Sequence, residues 1–400
     1  MWLAFSSYTG VVVRLFQHTS IYRFIPGRAN VSLIGVVLAG MLLLSACATQ
    51  RPIHPTPPPL LNSGPEIQVA DAGVDVLALT PAMQAFLERY ILRYANLDTR
   101  LRLLTLAVAS NGVLGFDYDE ARTLTAAEAF RTRSGNCIGF ANMMIALVRA
   151  AGLDAEYQEV IRRPEWSSRE DTLLLVKHIN VVVSSPRYNY VVDISGVKFK
   201  PNASPRIISD AYARALYFNN IGAEALLRNE LPMAWSYLVT AINAEPGLTD
   251  PWVNLGVVYG RNEQLDAAEL VYRTALHIDA SDYSAMNNLY EVYLLREDQE
   301  AAQSLRARVE KYRKRNPYYL MNLSEESLEL GRFEESISLL QRAIRIKDDS
   351  YLLHFALAKT QYLSGDTAAA QISLDRTREL APQDMLQFYS RPLKELVMEE

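Results

Sequence analysis

Several kinds of functional site are poorly supported by this sequence, because the residues they need are scarce. The 400-residue chain has two cysteines, Cys47 and Cys137, and five histidines, and none of them falls at the spacing of a metal site. No glycine-rich phosphate loop is present, so we expect neither a metal nor another cofactor. A formal net charge of −5 argues against nucleic acid and anionic membrane surfaces as main partners.

The composition is otherwise that of a folded protein. Hydrophobic residues make up 50% and charged residues 21% of the chain, which excludes a disordered protein and leaves ample material for a core. The length predicts about two or three domains.

Residues 1–46 have the pattern of an export signal. The apolar segment 31–46 follows Arg23 and Arg28 and ends in Leu44-Ser45-Ala46-Cys47. This ending resembles the lipobox of bacterial lipoproteins, which implies that residues 1–46 are a signal segment that is removed and that Cys47 becomes a lipidated N-terminus. The alternative is a short transmembrane helix, although the apolar run is shorter than the roughly 20 residues that a span needs.

The same resemblance implies a bacterial envelope protein that is anchored by lipid and faces the periplasm. Because the residue after Cys47 is Ala48 and not Asp, we expect delivery to the outer membrane. Lipidation uses Cys47 and leaves Cys137 as the sole thiol, so no intramolecular disulfide can form. An oxidising compartment exposes a lone thiol to mixed disulfides, which favours a functional reason for keeping it.

Residues 47–66 comprise the lipidated cysteine and a proline-rich segment. Such a segment favours extended polyproline conformation and cannot form a packed core. We therefore expect a tether that, at about 3.1 Å per residue, holds the next domain up to roughly 60 Å from the lipid. Its prolines are Pro52, Pro55, Pro57, Pro58, Pro59 and Pro65.

Residues 67–205 have the pattern of an α+β domain that begins with helices. A helix start is predicted at Thr80-Pro81, a second helix over about 98–110, and a third helix at Thr125, where Glu128 gives capping-box spacing.

Strands are predicted after these helices, over 155–160, 173–184 and 188–194. We expect the helices to pack on an antiparallel sheet. Trp166 falls in a predicted loop between the first two strands, where it either walls the site or packs as a loop anchor.

Cys137 is predicted to open a further helix, because Gly135 provides a turn and the apolar residues of 138–148 recur at helical spacing. A helix N-terminus favours a thiolate, since unpaired amide N–H groups and the positive dipole end face the sulfur. His178 lies on a predicted strand and Asp193 near the end of the next strand. One hairpin register places that carboxylate beside the imidazole, where it would hold the ring as the base for the thiol.

Residues 125–195 resemble the transglutaminase-like superfamily of papain-fold cysteine enzymes, in which a Gly-x-Cys start of a helix is followed by a His and an Asp on successive strands. The resemblance implies that Cys137 is the nucleophile, His178 the base and Asp193 the orienting acid. The chain departs from the common pattern, which often has His-Ala-Trp and Asp-Pro, because it has Ile179-Asn180 after the histidine and Ile194-Ser195 after the aspartate.

Each of these residues also has a simpler interpretation. A cysteine at a helix start is often a small buried apolar residue, and a strand histidine is often structural. Members of the superfamily also keep the fold as binding modules, so a triad does not by itself establish catalysis.

From residue 215 the chain repeats with a period of 34, giving repeat starts at 215, 249, 283, 317 and 351. Trp252, Leu255, Gly256 and Tyr259 match the tetratricopeptide pattern, and Ala268 follows in register. We therefore predict that residues 215–384 form an all-α tetratricopeptide solenoid, after the α+β transglutaminase-like (papain-like) domain. Residues 385–400 are predicted to form a terminal cap that is bent or broken at Pro392.

The sixth position of four successive repeats is asparagine. A ladder of side-chain amides would bind an extended peptide backbone. The alternative is that each asparagine makes only local hydrogen bonds. The residues are Asn220, Asn254, Asn288 and Asn322.

We expect an exported, lipid-anchored cysteine enzyme that hydrolyses or transfers peptide or protein amide bonds, with the repeats binding a protein substrate or partner. The alternative is a non-catalytic scaffold for envelope assembly with a degenerate transglutaminase-like binding domain. In a third interpretation, the first domain processes a single dedicated partner.

Overall fold

The computed structural model describes residues 55–61, 73–109, 112–119, 122–169, 172–184, 189–194 and 204–398. The predicted signal segment and Cys47 lie outside these residues. Within the described residues, no helix has both the length and the apolar character that a membrane span requires.

The first domain begins with helices whose starts follow the capping residues in the sequence. Thr80 accepts a hydrogen bond from the Met83 amide, and Thr125 forms a capping box in which the Glu128 carboxylate accepts from the Thr125 amide at 3.0 Å. The described helices of this domain are α1 (Pro81–Tyr90), α2 (Leu97–Val108), α3 (Ala126–Thr132) and α4 (Cys137–Ala150).

Two short strands frame the entry to α4. Strand β1 (Asp117–Tyr118) pairs in parallel with β2 (Ser134–Gly135), which is followed directly by the α4 N-cap, Asn136. Every residue from Ile138 to Val148 is buried, so α4 is the central helix of the domain core.

A four-stranded antiparallel sheet packs on α4. Its strands are β3 (Asp154–Arg169), β4 (Thr172–Ser184), β5 (Asn189–Val192) and β6 (Ser204–Ile208), in the order β5-β4-β3-β6. The Tyr157 hydroxyl on β3 donates to the Asn142 side chain of α4 at 2.7 Å, which joins the two layers inside the core.

The prediction that Trp166 lies in a loop is wrong. Strand β3 continues past Val160 to Arg169, and the Trp166 backbone pairs with Leu175 of β4. The sequence suggested a break because Pro164 cannot donate to a strand ladder. The register shifts between Val160 and Glu165, and such an irregularity accommodates a proline without ending the strand.

Ten helices after the sheet form five antiparallel pairs, and they confirm the predicted fold class. They are α5 (Asp210–Leu227), α6 (Leu231–Ala244), α7 (Thr249–Arg261), α8 (Leu265–Ile278), α9 (Tyr283–Leu295), α10 (Gln299–Arg313), α11 (Pro317–Glu329), α12 (Phe333–Ile346), α13 (Tyr351–Leu363) and α14 (Thr367–Leu380). Helices α7, α9, α11 and α13 begin at the predicted repeat starts 249, 283, 317 and 351. Two short helices follow, α15 (Gln383–Tyr389) and α16 (Leu393–Met398), separated at Pro392.

The predicted limits of the two domains, 205 and 215, both fall inside structural elements. Residue 205 lies within β6, and α5 begins at Asp210, where the Ser209 side chain caps it. The early start of α5 has a packing reason, because Ala213 belongs to the same buried cluster as α4 and the sheet, and Tyr212 packs against that cluster. The first repeat and the first domain therefore share one core.

Close helix contact in the second repeat depends on a glycine. A Cβ atom at Gly256 of α7 would lie 2.4 Å from the ring of Tyr272 on α8. Ala268, also on α8, is fully buried, as its small size in the repeat pattern predicts.

Residues 55–61, which we call the strap, lie against the solenoid. Leu60 is 7% exposed and belongs to the buried cluster that contains Trp235 and Tyr259. The Trp235 indole and the Tyr259 hydroxyl both donate to the Pro58 carbonyl oxygen. This part of the predicted tether is therefore held on the solenoid, because proline carbonyls still accept hydrogen bonds and Leu60 supplies an apolar side chain.

Candidate active site

Cys137 is the first residue of α4 and is a free, half-buried thiol. The preceding residue, Asn136, caps the helix by accepting from the Gly139 amide at 3.0 Å. This cap leaves the Cys137 amide at the open end of the helix, where backbone N–H groups have no intrahelical partner. The thiol thus lies at the positive end of the central helix of the core.

His178 and Asp193 are brought together by the pairing of β4 with β5. Val181 pairs with Val192, so this register continued by one residue sets Asp193 diagonally across from His178 on the same face of the sheet. The His178 Nε2 atom lies 2.9 Å from Asp193 Oδ1 and 2.8 Å from Oδ2. Both side chains are largely buried, which strengthens the interaction relative to a surface pair.

The imidazole also bonds to the cysteine. Burial of the ring lowers the pKa of His178, but hydrogen bonds from the ring to Asp193 and to the Cys137 side chain outweigh it and raise the pKa to about 9. At neutral pH the ring therefore holds its proton. An imidazolium beside the sulfur stabilises negative charge there and can later give its proton to a leaving group.

The structure thus brings the three residues singled out in the sequence into one chain of contacts, from sulfur to imidazole to carboxylate. Whether this arrangement is catalytic stays a prediction. The side chain of Trp166 is not among the described side chains, so its proposed role in walling the site is not tested.

A polar network behind α4 was missed by sequence reasoning. Asn136 Nδ2 donates to the Thr123 hydroxyl at 2.8 Å, and that hydroxyl donates to the Glu224 carboxylate of α5 at 2.6 Å. Thr123 and Asn136 are buried. The network connects the first solenoid helix to the residue that caps the cysteine helix. Since Glu224 is 101 residues from Thr123 in the chain, no local signal predicts the contact.

Asn180 is a second residue that the sequence did not single out as functional. It lies on β4, two residues from His178, and is fully buried. Within the described residues, neither its amide nitrogen nor its amide oxygen has a hydrogen-bond partner. Burying an unsatisfied amide costs about 1–3 kcal/mol.

The predicted asparagine ladder is only partly free to bind a peptide. The Asn254 side chain donates to Asn219 at 2.9 Å, and Asn288 accepts from Asn287 at 3.2 Å and bonds to a tyrosine hydroxyl. Asn220 accepts from Asn219 at 3.5 Å and is half-buried, whereas Asn322 is exposed. Both the peptide-binding ladder and the alternative of local hydrogen bonding stay predictions.

No group of three or more His, Cys, Asp or Glu side chains in the described part of the chain is arranged to hold a metal ion.

Comparisons with known proteins match the two parts of the chain separately. The model of the transglutaminase-like superfamily matches residues 95–192, and tetratricopeptide-repeat models match residues 249–282 and 327–390. No curated protein matches the chain.

Solved structures resemble less than half of the chain. MamA from Desulfovibrio magneticus RS-1 is 18% identical and covers 43% of this chain and 96% of its own, with a TM-score of 0.27. YrrB, described as a tetratricopeptide protein with an unusual peptide-binding site, is 16% identical and covers 44% of this chain and 91% of its own, with a TM-score of 0.25. The chain therefore carries a transglutaminase-like domain, matched over residues 95–192, followed by tetratricopeptide repeats.

Proposed function

We propose that this protein is an exported, lipid-anchored cysteine enzyme that hydrolyses or transfers peptide or protein amide bonds, and that its repeats bind a protein substrate or partner. The observation that supports this most is the imidazole of His178, which bonds to the Asp193 carboxylate and to the Cys137 side chain. A thiol, a base and an orienting acid are the parts that acyl transfer through a cysteine requires.

The reaction follows from these contacts. The Cys137 sulfur attacks the amide carbonyl carbon, and the carbonyl oxygen takes the negative charge of the tetrahedral intermediate. The Cys137 backbone amide, at the N-terminus of α4, is a donor for that oxygen. The C–N bond then breaks, and the amine leaves with the proton from His178 while the acyl group remains as a thioester.

Water or an amine resolves the thioester. His178 removes a proton from the incoming group, which adds to the acyl carbon, and the sulfur leaves as thiolate. Hydrolysis is the favoured outcome, since water needs no second binding site. Throughout both steps Asp193 fixes the orientation of the ring and stabilises its charged form.

The lipid anchor is proposed because the apolar segment near the start of the chain leads into Leu44-Ser45-Ala46-Cys47. Cys47 is the proposed lipidated residue, and the outer membrane is the proposed destination. Metabolic labelling with an alkyne fatty acid tests it. The wild-type chain should be labelled, and the Cys47→Ser chain should not. Labelling of both chains to the same level would contradict anchoring at Cys47.

Complementation of a deletion strain tests the proposed catalytic activity. The Cys137→Ser chain should fail at normal protein level, because a serine hydroxyl is a far weaker nucleophile beside this imidazole. A second readout is the intact mass of wild-type protein quenched in acid after incubation with envelope proteins, where a hydroxylamine-sensitive adduct on Cys137 is expected. Full complementation by Cys137→Ser would favour the non-catalytic scaffold instead.

The scaffold remains the second candidate because the first domain and the first repeat share a core. The residues after His178 and Asp193 also depart from the common pattern of the superfamily. A scaffold would need the fold but not the thiol, so Cys137→Ala and wild type would then behave alike.

A further inference from the structure

The strap is held by groups that suit a proline-rich chain. Proline has no backbone N–H, so a groove that binds it must donate to carbonyl oxygens. The Pro58 carbonyl accepts from the Trp235 indole at 3.2 Å and from the Tyr259 hydroxyl. The Pro59 carbonyl accepts from the side-chain amide of Gln264 at 3.2 Å.

Beyond its last proline, the strap forms hydrogen bonds through the backbone of Leu61. The Leu61 amide donates to the Gln264 side chain at 2.9 Å, and the Leu61 carbonyl accepts from Asn262 at 2.9 Å. Leu60 is 7% exposed within a buried cluster formed by the first three repeats, whereas Leu61 is 55% exposed. One apolar side chain and several backbone groups are therefore recognised, and the neighbouring side chain is not.

These contacts join residues that are 177 to 205 positions apart in sequence, so the groove belongs to the solenoid and not to the strap's own neighbourhood. An extended proline-rich peptide loses little conformational entropy on binding, because its polyproline conformation is already populated when free. The groove thus has the hydrogen-bond donors and the apolar site that a ligand of this class needs.

We propose that the groove formed by Trp235, Tyr259, Asn262 and Gln264 is a docking site for an extended, proline-containing peptide of a partner protein that has an apolar residue directly after its prolines. The strap occupies this site in cis and competes with the partner. This inference rests on the part of the proposed function that gives the repeats a protein partner, and it does not depend on the chemistry of Cys137.

The test uses the full chain with Cys47→Ser and a fluorescein-labelled peptide with the sequence of residues 54–62, followed by fluorescence anisotropy. Leu60→Asp in the chain should release the strap and tighten the apparent peptide affinity by roughly tenfold or more, because the fraction of open groove sets that affinity. Leu61→Asp is the matched control, since its side chain is exposed, and it should leave the affinity within about twofold of the unsubstituted chain.

Two further variants identify the site. Adding Gln264→Ala to the Leu60→Asp chain should weaken peptide binding, and a peptide carrying aspartate at the position of Leu60 should not bind. If Leu60→Asp perturbs the fold by circular dichroism, replacing residues 55–61 by a Gly-Ser segment of equal length gives the same comparison.

Equal affinities of the Leu60→Asp and Leu61→Asp chains would overturn the proposal, as would binding that ignores Gln264→Ala. A dimer that becomes a monomer on Leu60→Asp would also overturn it, because the strap would then be exchanged between two copies. None of these results depends on amide-bond chemistry, so failure here and failure of the enzyme proposal are distinguishable.

Discussion

Replacing Asp193 by asparagine should lower the pKa of His178 sharply. The pKa is raised from 6.5 to about 9 although burial opposes the charged ring, so the hydrogen bonds and charge of its partners supply the rise. Asparagine keeps the shape of the side chain but removes its charge. Burial then has the larger effect, and the pKa should fall to about 6.5 or below.

The size of the effect on stability follows from the same values. A rise from 6.5 to about 9 corresponds to about 3 kcal/mol of preferential interaction with the protonated ring. Because the pKa in the folded chain lies above its ordinary value, this stabilisation is complete below about pH 6.5, decreases as the pH rises through about 9 and is then absent. The Asp193→Asn chain should therefore be less stable than wild type at pH 6, and the difference should shrink by pH 10.

The assay is an NMR titration of chains labelled with ¹³C at the histidine Cε1 position. The His178 signal is assigned by its loss in His178→Gln. The wild-type midpoint should lie near pH 9. A wild-type midpoint near 6.5, or one unchanged by Asp193→Asn, would refute the charge pair between imidazole and carboxylate.

Two other substitutions test structural contacts, one beside the cysteine helix and one inside the solenoid. Thr123→Val removes the hydroxyl that joins the helix cap to the solenoid, so it should lower the unfolding free energy by about 1–2 kcal/mol and slow alkylation of the thiol, measured by urea unfolding and iodoacetamide labelling. A chain that loses stability but reacts at the wild-type rate would contradict the positioning role. Gly256→Ala should destabilise the second repeat by about 1–3 kcal/mol, because its Cβ would lie 2.4 Å from a tyrosine ring on the next helix. Gly260→Ala on the same helix is the matched control, since a Cβ there meets nothing within 4 Å, and equal melting temperatures for the two chains would contradict the packing argument.

Sequence patterns predict the structural elements that are determined by residues close together in the chain or by a regular repeat. The helix start at Thr125 was predictable because a capping box needs only Thr125 and Glu128, and both of its hydrogen bonds are formed. The solenoid register was predictable because the small and aromatic positions recur every 34 residues. The contact between His178 and Asp193 was predictable only as one possible hairpin register, which the pairing of Val181 with Val192 provides.

Features that depend on distant contacts were not predictable. Pro164 predicts a break in an isolated strand, yet β3 continues because its residues from Glu165 to Arg169 pair with β4. The strap has a composition typical of a tether, and only its hydrogen bonds to side chains more than 170 positions away fix it on the solenoid. The link from Thr123 to Glu224 likewise joins two domains whose shared core no local pattern reveals.

The most direct test of an activated thiol is the pH profile of iodoacetamide alkylation in the full chain with Cys47→Ser, where Cys137 is the sole thiol. An ordinary thiol ionises near about 8.5 and is only a few per cent thiolate at pH 7. With the charged imidazole of His178 beside the sulfur, alkylation at pH 7 should be about tenfold or more faster than in the same chain with His178→Ala. Superimposable pH profiles for the two chains would contradict the activated cysteine.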